Sequence, residues 1–135
     1  MNVGSVFRAS GCYSVSMVAI SGARALKHLH RIPSDTQKAI RHIPVVCTEN
    51  LRETIPHGCV PVAVDIVEGA IPLTEYVHPE RAFYIFGAED ATLGERILSW
   101  CRDVVYIPTN GCMNLAATVN VVLYDRYCKG ERGIK

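Results

Sequence analysis

Residues 82–127 read AFYIFGAEDATLGERILSWCRDVVYIPTNGCMNLAATVNVVLYDRY. Two apolar runs in this stretch, Ala82–Phe86 and Val104–Ile107, are short, rich in β-branched and aromatic residues, and cut off by Gly or Pro. That pattern predicts two buried strands. Between them Leu93, Ile97, Leu98 and Cys101 recur at helical spacing. The result is a strand–helix–strand unit of the kind that builds parallel sheets. After the second strand comes a loop, Pro108-Thr109-Asn110-Gly111, and then a long apolar helix from Asn114 to Tyr127. Two loops thus leave the carboxyl ends of two neighbouring strands, the place where open α/β sheets bind ligands.

Upstream, Val60–Val67 predicts a further strand, with Pro61 near its start, where a missing amide costs least. Asp65 falls near its carboxyl end, Glu68-Gly69 make a turn, and Pro72–Tyr76 reads as a connector closed by His78-Pro79. Asn2–Cys12 predicts a short helix with Val3, Val6, Phe7 and Ser10 on one face, Asn2 as its N-cap and Gly11 as its stop. Val15–Ser21 reads as the first strand, and Leu51–Ile55 as a short helix started by Asn50. Four strands with helical or irregular connections give an α/β domain, a mostly parallel sheet flanked by helices. The last helix is apolar on more than one side, through Leu115, Ala116, Val119, Val121, Val122, Leu123 and Tyr124. One face is expected on the sheet and the other against a twofold partner.

At 135 residues the chain is expected to form a single domain, 1–135, without a separate RNA-binding extension. Charged residues make up 20% and the net charge is +1, so any anion-binding surface must be local. It is found at Gly22–His42, where Arg24, Lys27, Arg31, Lys38 and Arg41 face one acid, Asp35. Such a local excess is an electrostatic footprint for phosphates, although a solvated loop and a helix capped by Ser34 or Asp35 would also carry it. Pro33 and Pro44 bracket that helix. Six cysteines without CxxC spacing and five histidines without HExxH argue against a zinc site or a disulfide framework, and fit a reducing cytosol. No apolar run approaches the ~20 residues that span a bilayer. Neither GxGxxG nor GxxxxGK(S/T) is present, so no common nucleotide motif names a cofactor.

Here the residues become specific. FGAEDATLG (86–94) and IPTNGCMNLAATVNVVLYD (107–125) resemble the second and third motifs of the SpoU-type (TrmH-like) branch of the SPOUT RNA methyltransferases. NVGSVFRA (2–9) resembles the first motif of the same family, and the three cover nearly the whole chain in the right order. The departures are Ala9-Ser10 closing the first motif, Cys112 where the family has serine, and a shorter loop after Gly111.

The resemblance implies a SPOUT-type fold with a C-terminal trefoil knot, which periodicity could not have suggested because knots are almost absent from proteins. It implies a homodimer paired through the last helix and the first motif's helix, with S-adenosylmethionine as cofactor and no metal. It also implies methyl transfer to a ribose 2′-hydroxyl of RNA, transfer RNA first and ribosomal RNA second. Matched motif by motif, the cofactor wall is Phe86, Gly87, Ala88, Ile107, Pro108, Gly111, Met113, Asn114 and Leu115. Arg8 falls on the family's central arginine, which its residues alone would leave as a solvated helix side chain; Arg8 with Arg24, Lys27, Arg31, Lys38 and Arg41 would meet RNA. Asn2 would hold Arg8 or the substrate, and Glu89 would orient Asn2 or the knot loops, its plainer role being to cap a helix. Asn114 matches the family asparagine and doubles as an N-cap candidate. The competing reading is a catalytically silent member of the fold that binds RNA or S-adenosylmethionine without turnover, and Cys112 is the residue that favours it.

Overall fold

The computed structural model describes residues 3–22, 42–87 and 92–134, the last four as backbone. The helix predicted between Pro33 and Pro44, with Arg24, Lys27, Arg31, Lys38 and Arg41, lies outside the described residues, as do Asn2, Ala88 and Glu89. The chain divides after Thr54 into two compact units.

In the first unit, α1 (Val3–Cys12) sets Val3, Phe7 and Ser10 one turn apart on a single buried face. Val3 and Phe7 pack on Ile20 of β1 (Val18–Ser21), with Val18 and Val45 at the edge of the cluster. Ser10 is buried without being orphaned, because its hydroxyl donates to the Val6 carbonyl at 2.8 Å. The helix runs through Gly11, the expected stop, and the chain turns at Ser14, whose φ is 55°. β1 is shorter than the predicted Val15–Ser21 and pairs in parallel with β2 (Val45–Thr48), Val18 facing Val45 and Ser21 facing Thr48. β2 has no clear signal in the sequence, since it is four residues long with Val46 and Cys47 exposed. Asn50 behaves as expected: its side-chain oxygen accepts from the Arg52 amide at 3.2 Å and starts a 3₁₀ turn over Leu51–Thr54.

The second unit holds a four-stranded, fully parallel sheet in the order β4-β6-β3-β5. Its strands are β3 (Val60–Val64), β4 (Ile71–Pro72), β5 (Ala82–Phe86) and β6 (Asp103–Tyr106). β3 ends three residues before the expected Val67, and β6 is displaced by one from the expected Val104–Ile107. With β2 and β4 the described strands number six rather than four. β4 escapes sequence reading because it is two residues long, and its proline is tolerated only at a sheet edge. The order carries a further correction. β5 and β6 are not neighbours, because β3 lies between them, pairing Val62 with Tyr84 on one side and with Asp103 on the other.

The connection from β5 to β6 holds α2 (Glu95–Leu98), a single turn entered at Gly94, whose φ of 85° favours glycine. The final helix α3 (Leu115–Ile134) runs past the expected Tyr127. It drops Val122 into a cluster with Val62, Val64, Leu73, Tyr76 and Val105, where Val62, Val105 and Val122 are fully buried. Burying each such side chain stabilises by about 1.5–3 kcal/mol. Val121, Tyr124 and Tyr127 are exposed, and within this unit α3 buries one face of its apolar surface, the one expected on the sheet.

The far end of α3 is latched by polar groups. His78 Nε2 lies 2.7 Å from Asp125 Oδ2, and its Nδ1 lies 2.7 Å from the Tyr84 hydroxyl. Arg126 donates to the carbonyls of Pro79 and Glu80 and to the Tyr84 hydroxyl, at 2.7, 2.6 and 3.1 Å. Lys129 donates to the carbonyls of Leu73 and Tyr76 and pairs with Asp125 at 2.7 Å. These bonds satisfy the backbone of the connector between β4 and β5, which has no sheet partner for much of its length.

Candidate functional site

The carboxyl ends of β3, β5 and β6 open onto one cleft of about 140 Å³. Val64, Phe86 and Ile107, one from the end of each strand or the residue after it, make an apolar floor. Asp65 and Ile66 leave β3 along one side, and Gly87 leaves β5 beside them. The loop after β6 closes the other side with Thr109, Gly111, Cys112 and Met113, and the first turns of α3 add Leu115 and Thr118. The site therefore stands where side chains give way to backbone at the ends of a parallel sheet.

Local chemistry shapes each wall. The Thr109 hydroxyl donates to the Gly111 carbonyl at 2.5 Å and ties the loop into a turn. Gly111 is not required by its own backbone, and a Cβ placed there would meet no atom within 4 Å. The space beside it belongs to the cleft. Asn114 is a working N-cap: its side-chain oxygen accepts from the Ala117 amide at 2.8 Å, three residues on. Replacing Asn114 with alanine is expected to cost about 1 kcal/mol, and replacing it with aspartate much less, read as midpoints of urea unfolding.

Of the nine wall residues expected from the sequence, the cleft brings together Phe86, Gly87, Ile107, Gly111, Met113 and Leu115. Pro108 and Asn114 are exposed and do not line it, and Ala88 lies outside the described residues. Arg8 belongs to the first unit, exposed on α1 beside the buried Phe7. The sequence reading missed Val64, Asp65, Ile66, Thr109, Cys112 and Thr118 as lining residues. The first three were hidden by taking β5 and β6 as adjacent; a third strand between them brings its own exit into the site.

Asp65 is the one carboxylate among the described lining residues. Its Oδ1 accepts from the Ile66 amide at 2.9 Å and its Oδ2 from the Leu93 amide at 2.9 Å. Its own amide donates to the Val105 carbonyl at 3.0 Å and extends the β3–β6 ladder by one bond. Among the described residues no group of three or more His, Cys, Asp or Glu stands together as a metal site. No described helix is long and apolar enough to cross a membrane.

Residues 1–124 match the sequence pattern of the SpoU rRNA Methylase family. No curated protein sequence matches the chain. Among solved structures, the A. aeolicus TrmH/SpoU tRNA modifying enzyme superposes with a TM-score of 0.79 over 98% of this chain, at 18% identity. The AdoMet-bound rRNA methyltransferase from Sinorhizobium meliloti gives 0.74 over 95% at 19% identity. An RNA 2′-O ribose methyltransferase gives 0.69 over 96% at 17%. This chain spans 71%, 51% and 52% of those three proteins. At such identities the likeness is one of fold, a mixed α/β architecture of parallel sheets flanked by helices. What decides membership is the sequence match, which runs from the first residue through β6 and into α3: the chain belongs to the SpoU rRNA Methylase family.

Proposed function

We propose that this protein is an S-adenosylmethionine-dependent methyltransferase acting on a ribose 2′-hydroxyl of RNA, transfer RNA ahead of ribosomal RNA. The observation that carries the reading is the cleft at the ends of β3, β5 and β6, where residues 86 to 115 of two family motifs converge. Its make-up fits a nucleoside. Val64, Phe86, Ile107 and Leu115 offer apolar cover for a flat ring, while Gly87 and Gly111 let backbone groups approach its polar edge. Met113 completes that wall, and Ala88, Pro108 and Asn114 are assigned to it from the motifs.

Bound there, S-adenosylmethionine supplies a methyl carbon that is already strongly electrophilic. The protein's part is to hold the ribose hydroxyl in line and to help it lose its proton. Arg8 is assigned to that centre as a fork on the RNA phosphate that also stabilises the developing oxyanion, the proton passing to phosphate or water. Asn2 holds Arg8 or the substrate, Glu89 orients Asn2 or the knot loops, Asn114 stands at the family asparagine, and Arg24, Lys27, Arg31, Lys38 and Arg41 hold the RNA backbone by charge. The exposed Val121, Tyr124 and Tyr127 of α3 support a homodimer paired through that helix. The C-terminal trefoil knot and a cytoplasmic location belong to the same reading.

Calorimetric titration with S-adenosylmethionine, followed by tritium transfer to bulk transfer RNA and ribosomal RNA, tests it. Micromolar binding with label on RNA is the expected result. Binding without transfer to either RNA would favour the silent member of the fold, the reading that Cys112 in the cleft supports. No binding at all would remove both.

A further inference from the structure

The residue that ties the exit of β3 both to β6 and to the connection between β5 and α2 is Asp65. Its backbone continues the ladder between β3 and β6, one carboxylate oxygen holds the amide that follows β3, and the other holds Leu93, 28 residues away. Leu93 lies two residues before α2, in the connection from β5. The same carboxylate lines the cleft beside Ile66 and Gly87. We propose that Asp65 is the positioning residue of the cofactor cleft: by accepting from both amides it sets the β3 exit and the β5–α2 connection at a fixed separation. The inference rests on the cofactor reading above and adds to it a residue that none of the three family motifs contains.

The chemistry explains why an aspartate is needed. A carboxylate has acceptor sites on both oxygens and no donor, so the amide that follows it and one 28 residues away are satisfied at once. Asparagine keeps one acceptor and turns a donor toward the second amide, and alanine leaves both amides to water. Amide bonds to an ionised acceptor are also the stronger kind. A longer glutamate would keep the charge but push the two segments apart. The bonds fix the cleft wall made by Asp65 and Ile66 against Leu93 and not the reacting centre, so their loss should show in cofactor affinity while turnover at saturation stays near normal.

The experiment compares wild type with Asp65→Ala, Asp65→Asn and Asp65→Glu in the full chain. Calorimetry gives the Kd for S-adenosylmethionine, transfer assays give KM and kcat, and amide hydrogen exchange reports on Leu93 without ligand. The expected result is a Kd and KM for S-adenosylmethionine raised about tenfold or more in all three variants, with kcat within about threefold. Leu93 protection should fall in Asp65→Ala by a similar factor. A role in overall folding alone would lower the melting temperature and the active fraction while leaving Kd and KM unchanged. Variants that bind like wild type, or an unchanged Leu93 exchange rate, would overturn the inference and leave the cofactor reading standing. Wild type that does not bind S-adenosylmethionine would overturn both, and the wild-type titration alone tells the two failures apart.

Discussion

Arg8→Ala is expected to reduce methyl transfer to RNA by about a thousandfold while leaving the Kd for S-adenosylmethionine within about threefold of wild type. A guanidinium titrates too high to serve as a simple base at neutral pH, so its value lies in charge and geometry. A fixed fork that grips a phosphate and faces a developing oxyanion contributes only as charge builds, which is the condition for raising kcat. Arg8 is exposed on α1, next to the fully buried Phe7, and alanine is the better helix former. Loss of activity through unfolding is therefore not expected, and a melting curve run alongside checks this. Arg8→Lys keeps the charge without the fork and should recover only part of the rate. Tritium transfer to RNA is the measurement, and equal turnover by Arg8→Ala would remove this residue from the mechanism.

Asp125→Ala is expected to give the largest loss of stability among the polar substitutions, about 2–3 kcal/mol, which for a chain of this size lowers Tm by roughly 10 °C. One oxygen of Asp125 serves both His78 Nε2 and Lys129 Nζ, at 2.7 Å each. Its removal leaves a nearly buried imidazole, whose side chain is 5% exposed, without its acceptor, and leaves Lys129 without its counter-charge. Lys129 and Asp125 keep some contact with water, which holds the figure below that of a fully buried pair. Thermal unfolding followed by circular dichroism reads the effect, and a loss under about 0.5 kcal/mol would mean that the latch contributes no more than an ordinary surface pair.

The latch also sets a pH dependence. Burial holds the His78 pKa below the ordinary imidazole value of 6.5, and the Lys129 and Arg126 cations add to the effect against the pull of Asp125. The neutral ring satisfies its neighbours: Nε2–H donates to Asp125, Nδ1 accepts from the Tyr84 hydroxyl, and that oxygen accepts from Arg126. Burial also raises the Tyr84 pKa, keeping the hydroxyl proton that Nδ1 needs. Because the folded pKa lies below the unfolded one, the unfolded chain takes up a proton that the native state refuses. Above about pH 6.5 the group costs nothing; below it stability falls, and levels off once the folded pKa is passed. Tm measured between about pH 8 and pH 5.5 should decline through that window, and the decline should flatten in His78→Gln.

Much of this molecule was legible along the chain. Ala82–Phe86 became β5 residue for residue, because a short run of β-branched and aromatic side chains between breakers has few other buried conformations. Asn50 and Asn114 cap the elements that they precede, since a cap is satisfied by an amide two or three residues away. Six of the nine expected wall residues line the cleft, on or directly beside two loops whose Gly and Pro signals are local.

What tertiary structure alone decided is everything that depends on who stands beside whom. β2 and β4 are strands because β1 and β6 pair with them, and no periodicity over four or two residues announces that. Asp65 entered the cleft because β3 inserts between β5 and β6, and His78 found Asp125 across 47 residues because α3 folds back over the connector. The sequence by itself determined which segments are strand, cap and turn, since those preferences are written in near neighbours. Strand order and the partners of buried polar groups come from contacts distant in the chain, whose free energy exists only once the sheet has closed.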